Sequence, residues 1–382
     1  MPRKIKPLIL IIDDQDGQTG IKSSLESRAL AHVKVLHPND LQDSDLQASD
    51  LVLVDFELDH WPERDNLETP SLKPADGLAL AAVLRRQVKD KPSPTAIALY
   101  TGKMAELASP LPPENRQHAL ARLNNLEWVF RKAIPGQESS LAAQLVSLAA
   151  AVHELPASWN TPQGGDPFER LGPLLGLRRS GPETDSLFDD VANCLPPLHE
   201  LSQWSHGLAV LRWFLHRILP YPCFLWDTYR LASRLRLNIT DLRAELQPLA
   251  PLRKALGHCE YKGILSDFIG PRWWRSRIET FLWTKTKGRS SDVRSVQGLI
   301  MDASKNRLKT ALAPELSVVC IDENYQPLGE LCRMQDAVRI RPDDWPAYAD
   351  QPWTTRRLAA ESPTLRALVI REDRARLSGS AA

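Results

Sequence analysis

The chain predicts an α/β fold of the flavodoxin-like type over its first part, a five-stranded parallel sheet, followed by a mainly α-helical domain with a small β element. Three observations carry this expectation. Residues 7–12 (Pro-Leu-Ile-Leu-Ile-Ile) and Leu51–Val54 are unbroken apolar runs without the alternation of a half-exposed strand. Such runs mark strands covered on both faces, as in a parallel sheet. Strand-like and helix-like stretches then alternate five times, the pattern of a parallel sheet with helices on both sides. Finally, four of the five strand-like runs end in residues with chemistry: Asp13-Asp14, Asp55, Thr101 and Lys132. Ligands in open α/β sheets sit at the carboxyl ends of strands. With strand order 2-1-3-4-5, the first and third strands are neighbours and place their carboxylates together.

Taken in order, the run 7–12 is the first strand and Gln18–Leu30 a helix weakened by Gly17 and Gly20. Val33–Leu36 is a short strand, and Asn39 can cap a helix running to Ala48. Leu51–Asp55 is the third strand. A polar, Pro-containing stretch (Glu57–Lys73) follows, long for a strand-to-helix connection. Asp76 can cap the next helix, whose apolar positions include Leu80, Ala81 and Leu84. Thr95–Tyr100 is a fourth strand, 113–124 holds a helix, Leu126–Phe130 is a fifth strand, and Leu141–Leu155 closes the domain as an apolar helix.

Composition bounds the rest. The 382 residues suggest two or three domains, and the net charge of +1 gives no overall argument for nucleic acid or membrane. Residues 1–154 carry 17 Lys+Arg against 21 Asp+Glu, and 155–382 carry 31 against 26, so the two parts differ in sign. The five cysteines all lie in the second half, are odd in number and form no CxxC pair, which argues against a zinc site or a disulfide framework. The N-terminal apolar run is too short for a signal peptide, and no stretch approaches the length of a membrane span. A cytoplasmic protein with no membrane association is the expectation.

The segments LILIIDDQ, VLVDFEL, ADGLALAAVLRR, AIALYTG and VFRK, over roughly residues 5–155, resemble the five landmarks of a response-regulator receiver domain of two-component signalling. The resemblance implies that Asp55 is a phospho-acceptor, becoming an aspartyl phosphate. It further implies Mg²⁺ held by Asp14 and Asp55, with Asp13 acting through water and the backbone carbonyl of Glu57 completing the set. Thr101 would donate to a phosphoryl oxygen and Lys132 would pair with another. The implied partner is a sensor histidine kinase or a phosphotransfer protein, and a homodimer fits the same scheme. The chain departs from the pattern in three places. Asp76-Gly77 lies 21 residues beyond Asp55, so an insert around Asp59–Leu72 flanks the acceptor. Val129 stands where the family's switch aromatic is expected, between Trp128 and Phe130. Ala133 follows the lysine where proline is usual.

Residues 156–186 are rich in Pro and Gly and read as a linker or docking segment, leaving 187–382 as an α-rich output domain. Helices are expected over 208–219, 223–237, 241–246, 273–283 and 293–312, strands over 316–321, 328–331 and 337–340, and a helical tail from Trp353. No enzymatic motif occurs here, so any catalysis would be the receiver's own phosphorylation and dephosphorylation. Residues 253–309 hold 13 Lys+Arg against 5 Asp+Glu, with Trp273, Trp274 and Trp283 interleaved. Basic residues among aromatics suit nucleic acid. The leading expectation is a phosphorelay response regulator controlling its C-terminal half. The alternatives are a DNA-binding transcriptional regulator using 253–309, or a degenerate receiver fused to an effector or enzyme without a readable motif.

Overall fold

The computed structural model describes residues 6–15, 19–27, 31–61, 73–89, 91, 93–108, 116–132, 138–156, 159, 168–178, 181–203, 207–308 and 316–377. Most of the insert, from 62 to 72, and Ala133 lie outside them. The first part runs β1 (Leu8–Ile12), α1 (Thr19–Ser27), β2 (His32–Leu36), α2 (Asp43–Ala48), β3 (Leu51–Asp55), α3 (Gly77–Gln87), β4 (Ala96–Thr101), α4 (Met104–Ala108), α5 (Gln117–Leu123), β5 (Trp128–Arg131), α6 (Glu138–His153) and α7 (Phe168–Leu174). The five strands form one sheet, ordered β2-β1-β3-β4-β5 and parallel throughout. This is a flavodoxin-like α/β fold.

The apolar runs are central because nothing else could cover them. Every residue of β3 and β4 is buried, whereas the edge strand β2 is half-exposed. One face of the sheet packs Leu10, Val52, Val54, Ile97, Leu99 and Val129 into a cluster with Leu80 and Leu84 of α3 and Leu120 of α5. Asp76 caps α3 by accepting the Ala79 N–H at 2.8 Å, as its position predicts. Asn39 does not cap a long helix. It sits in a short 3-10 turn, and Gln42 precedes the shorter α2. The Asn39 side chain instead accepts the indole N–H of Trp61 at 2.8 Å.

The chain continues with α8 (Pro182–Asn193), α9 (Leu198–Gln203), α10 (Leu208–Trp213), β6 (Leu225–Trp226), α11 (Thr228–Leu235), α12 (Ile239–Glu245), α13 (Pro251–Leu256), β7 (Trp273–Trp274), α14 (Arg275–Lys285), α15 (Val293–Ala303), β8 (Ser317–Ile321), β9 (Pro327–Arg333), β10 (Ala337–Arg339), β11 (Trp353–Thr355), α16 (Arg356–Glu361) and α17 (Pro363–Leu368). Two compact units result. The first comprises Met1–Arg178, Pro196–Pro220 and Gly263–Ile269; the second comprises Arg179–Leu195, Tyr221–Lys262 and Gly270–Ala382. The division therefore differs from one linker at 156–186.

The first unit gains α10 and the π-helical turn Phe214–Ile218, which pack on α5 and α6. It also gains Phe268, whose ring meets Trp128 and Phe130 edge-on, with centroids 5.0 and 6.1 Å away. The aromatics flanking Val129 thus have a core role. Strand alternation sends Val129 into the opposite cluster.

The second unit has its own core, including Trp226, Leu231, Leu235, Leu242, Ile278 and Leu282. Its sheets are the antiparallel pair β6-β7 and a mixed sheet ordered β10-β11-β8-β9. Three expectations are corrected here. Trp273-Trp274 is a strand rather than a helix start, because bulky aromatics side by side pair with Trp226 and Leu225 across β6. The helix expected over 223–237 begins only at Thr228, where Asp227 caps it by accepting the Arg230 N–H at 2.8 Å. Trp353–Thr355 is a strand inserted between β10 and β8 before the helical tail begins. All five cysteines are free thiols. Among the described residues, no helix is long and apolar enough to cross a membrane.

Candidate functional site

The carboxyl ends of the strands carry the predicted residues to one edge. Ile12 pairs with Val54 in the parallel register, so Asp13 and Asp55 continue adjacent strands. Asp55 pairs with Tyr100 and Thr101 with Arg131, which brings Thr101 and Lys132 alongside. The Lys132 N–H donates to the Thr101 carbonyl at 2.8 Å and fixes the ends of β4 and β5 together.

Asp55 is 3% exposed. One carboxylate oxygen accepts Lys132 Nζ at 2.8 Å, and the other accepts the Glu57 N–H at 3.1 Å. Burial pushes its carboxyl up to about 6; Lys132 opposes the rise and the neighbouring Asp13 carboxyl adds to it. Lys132 is itself held above its ordinary value: burial works against the charge, and Asp55 and Glu57 more than offset it.

Asp13 and Asp14 are 3% and 7% exposed. Asp13 accepts the Gln15 N–H at 2.7 Å. Asp14 accepts the backbone N–H of His60 through Oδ2, while its buried Oδ1 has no hydrogen-bond partner. A buried carboxylate oxygen without a donor is costly in water-free surroundings and is suited to a cation. The oxygens of Asp14, Asp55 and Asp13 and the Glu57 carbonyl are of the hard type that a cation such as Mg²⁺ would take. Among the described residues, no three acidic, histidine or cysteine side chains already converge as a metal cluster. Lys132 takes one oxygen of Asp55, and the His60 amide takes one oxygen of Asp14.

Thr101 is fully buried, and its Oγ1 accepts the Lys103 N–H at 2.8 Å. That bond fixes the oxygen and leaves the hydroxyl proton available to an acceptor.

Two side chains were missed by sequence reasoning. The resemblance gives Glu57 only a backbone role, yet its carboxylate lies 3.3 Å from Lys132 Nζ and 3.4 Å from Lys103 Nζ. Burial acts to raise the Glu57 carboxyl, but the two ammonium groups bring it below its ordinary value. Lys103 is thus a second cation at the edge; its position two residues after a strand-ending threonine was the available signal.

The long connection after β3 leaves the site intact. The Gly77 N–H donates to the Phe56 carbonyl at 3.0 Å, so the ends of the excursion meet. A Cβ on Gly77 would lie 1.8 Å from the Asp55 carbonyl oxygen, which makes glycine obligatory there. The start of the insert is docked. Gln15 Nε2 donates to His60 Nδ1 at 2.8 Å, and Leu58 and Trp61 join the core cluster. Lys73, just past the undescribed part, lies 5.5 Å above the Trp61 ring.

The first unit holds one more buried carboxylate. Glu127, just before β5, is fully buried and accepts Arg85 at 2.6 Å, Arg212 at 2.8 Å and the Ile97 N–H at 2.6 Å. Burial alone would raise its carboxyl, but the two guanidinium groups bring it down to about 2. His216 donates through Nε2 to the Glu127 carbonyl at 2.8 Å, and burial lowers its imidazole to about 4.

In the basic stretch 253–309, Trp273 and Trp274 are 3% and 2% exposed and belong to the core. Arg253, Arg275 and Arg307 are in ion pairs with Glu260, Asp350 and Glu245. Only Trp283, 60% exposed, is available at the surface.

No family model, curated protein or solved structure matches this chain.

Proposed function

We propose that the chain is a phosphorelay response regulator whose receiver-like first unit accepts a phosphoryl group on Asp55 and thereby controls the second unit. The observation that carries this reading is the buried, under-neutralised Asp55 carboxylate bonded to Lys132, at the strand edge that also presents Asp13, Asp14 and Thr101. In the proposed reaction an Asp55 oxygen attacks the phosphorus of a phosphohistidine or acyl phosphate. The P–N or P–O bond to the donor breaks, and the donor leaves with the electron pair.

A bound Mg²⁺ would neutralise charge between the carboxylates and the phosphoryl oxygens. Asp14 and Asp55 would hold it directly, helped by Asp13 and the Glu57 carbonyl. Lys132 exchanges its bond to Asp55 for one to a phosphoryl oxygen, and the Thr101 hydroxyl donates to another. Glu57 competes for Lys132 before transfer and is the group displaced afterwards. The donor partner is a sensor kinase or phosphotransfer protein carrying phosphohistidine. The covalent state would shift the first unit between two conformations.

Mass spectrometry of the full-length protein after acetyl phosphate and MgCl₂ should show one alkali-labile phosphoryl adduct. The adduct should be absent from Asp55→Asn. A wild type that never gains it, or a variant that gains it equally, ends the phospho-acceptor reading.

A further inference from the structure

The second unit carries an unrelated chemistry on its mixed sheet. Two open recesses lie there, of about 670 and 210 Å³, and Trp353 lines both. Arg333, Arg339 and Arg376 line the larger one; Arg230, Arg234 and Arg236 line the smaller. Against six arginines stand two lining aspartates, Asp373 and Asp350. Trp353 itself is only half-buried.

Most of these cations are already answered inside the unit. Arg234 forms a two-pronged pair with Glu279, both bonds 2.7 Å. Arg230 bonds Asp227 at 2.6 Å. Arg339 bonds Asp373 at 3.0 and 2.9 Å and lies 6.0 Å from the Trp353 ring centre. Arg376 shares Asp373 at 3.8 Å, and Asp350 is taken by Arg275 at 2.7 Å.

Arg236 is the exception. Among the described residues its side chain has no hydrogen bond and no carboxylate partner, and its Nε is buried. Burial and the adjacent Arg234 both disfavour its charge. Arg236 as a whole is half-buried, so its terminal nitrogens remain open to the recess. A guanidinium cannot escape by losing its proton near neutral pH, so one that no carboxylate answers can take an anion from outside. The residue also ends α11 in the left-handed region, φ 60°, an uncommon conformation for a side chain of this size.

A ligand that offers an anion to Arg236 and a flat surface to Trp353, and that is long enough to enter both recesses that Trp353 lines, fits this face. Single-stranded nucleic acid has this alternation of phosphate and free base. A duplex presents phosphates but keeps its bases stacked against each other. We propose that this face of the second unit binds single-stranded nucleic acid, with a backbone phosphate on Arg236 and a base stacked on Trp353. The proposal does not depend on phosphorylation of Asp55.

The test uses the full-length protein and fluorescence anisotropy with a labelled oligothymidylate of about fifteen residues, a duplex of the same length, and AMP as competitor. The single strand should bind more tightly than the duplex. Arg236→Gln should weaken binding about tenfold and lower the slope of log K against log salt by about one. Trp353→Leu should weaken binding about tenfold with the slope unchanged, and Arg236→Lys should restore most of the affinity. Arg294→Gln, on the exposed face of α15, should leave binding unchanged within about twofold. Should Arg236→Gln lose its circular-dichroism melting transition, Trp353→Leu and Arg236→Lys decide alone. The proposal fails if the single strand does not bind at low salt, if the duplex binds equally, if the affinity ignores Trp353 and Arg236, or if AMP competes as strongly per molecule as the oligonucleotide.

Discussion

Asp55 and Glu127 are carboxylates of the same parallel sheet, 3% and 0% exposed, yet their surroundings treat them in opposite ways. Glu127 receives two guanidinium groups and a backbone N–H, and its carboxyl falls to about 2. Asp55 receives one ammonium and one N–H, faces Asp13, and rises to about 6. Burial alone therefore does not separate structure from function. The count of donors differs: Glu127 is well supplied and braces its two arginines, whereas Asp55 is left short of donors beside another acid, as the proposed acceptor role would need. The placement agrees, since Glu127 precedes β5 whereas Asp55 ends β3 at the carboxyl edge.

The strongest way to break this contrast is Glu127→Gln. The change keeps the shape but leaves Arg85 and Arg212 facing each other without their anion. A loss of about 3–5 kcal/mol is expected, visible as a lower urea midpoint. A midpoint equal to wild type would mean the buried carboxylate is no brace.

Acid should expose the same brace, with a definite sign. The folded His216 imidazole lies at about 4, below its ordinary value, so its contribution is present above pH ~6.5 and is lost as the pH falls towards 4. Glu127, also depressed, contributes above pH ~4.5 and loses that contribution as the pH falls towards 2. Asp55 titrates in the opposite sense, so the measurement belongs in an Asp55→Asn background with chelator present. Urea midpoints there should show a loss of about 3 kcal/mol between pH 6.5 and 4, deepening below that. A flat profile down to pH 4 would remove His216 from the account.

The features on the Asp55 side were largely legible in the sequence, and those on the Glu127 side were not. Runs such as LILII and LVLV between turn-forming stretches read as central strands, and a carboxylate, threonine or lysine at the end of one then emerges at the sheet edge. Register and residue type therefore placed Asp13, Asp14, Asp55, Thr101 and Lys132 without knowledge of packing. The brace depends on Arg85 and Arg212, 42 and 85 residues away, whose meeting no local pattern encodes. Its one local sign is a glutamate directly ahead of the buried run WVF. The return of 196–220 and 263–269 to the first unit was hidden for the same reason. Trp273-Trp274 and Trp353 look like helix starts in the sequence because short strands of bulky residues carry too little periodicity to set them apart.

Gly77 links the two kinds of information, since its identity is local but its necessity comes from Asp55 across a long loop. Gly77→Ala places a methyl 1.8 Å from the Asp55 carbonyl oxygen and 2.8 Å from Phe56 Cα, both backbone atoms that cannot swing away. The start of α3 must shift. A cost of about 1–3 kcal/mol is expected, with the proposed phosphoryl adduct forming roughly tenfold more slowly as Asp55 moves. If the adduct accumulates at the wild-type rate, Gly77 does not position Asp55.

Asp55→Asn is the counterpart of Glu127→Gln and should have the smallest effect on stability, with the opposite sign. It removes a charge that burial and Asp13 disfavour, at the cost of the Lys132 bond, so the variant should be level with wild type or up to about 1 kcal/mol more stable at pH 7.5. The balance should also shift towards wild type in acid. Wild-type Asp55, raised to about 6, takes up its proton as the pH falls through that value and becomes as neutral as the asparagine. The urea midpoint of wild type should therefore gain on that of the variant between pH 7 and 4 with metal chelated. A variant several kcal/mol less stable at pH 7.5 would make Asp55 a second brace, and the distinction between the two carboxylates would rest on their place in the sheet alone.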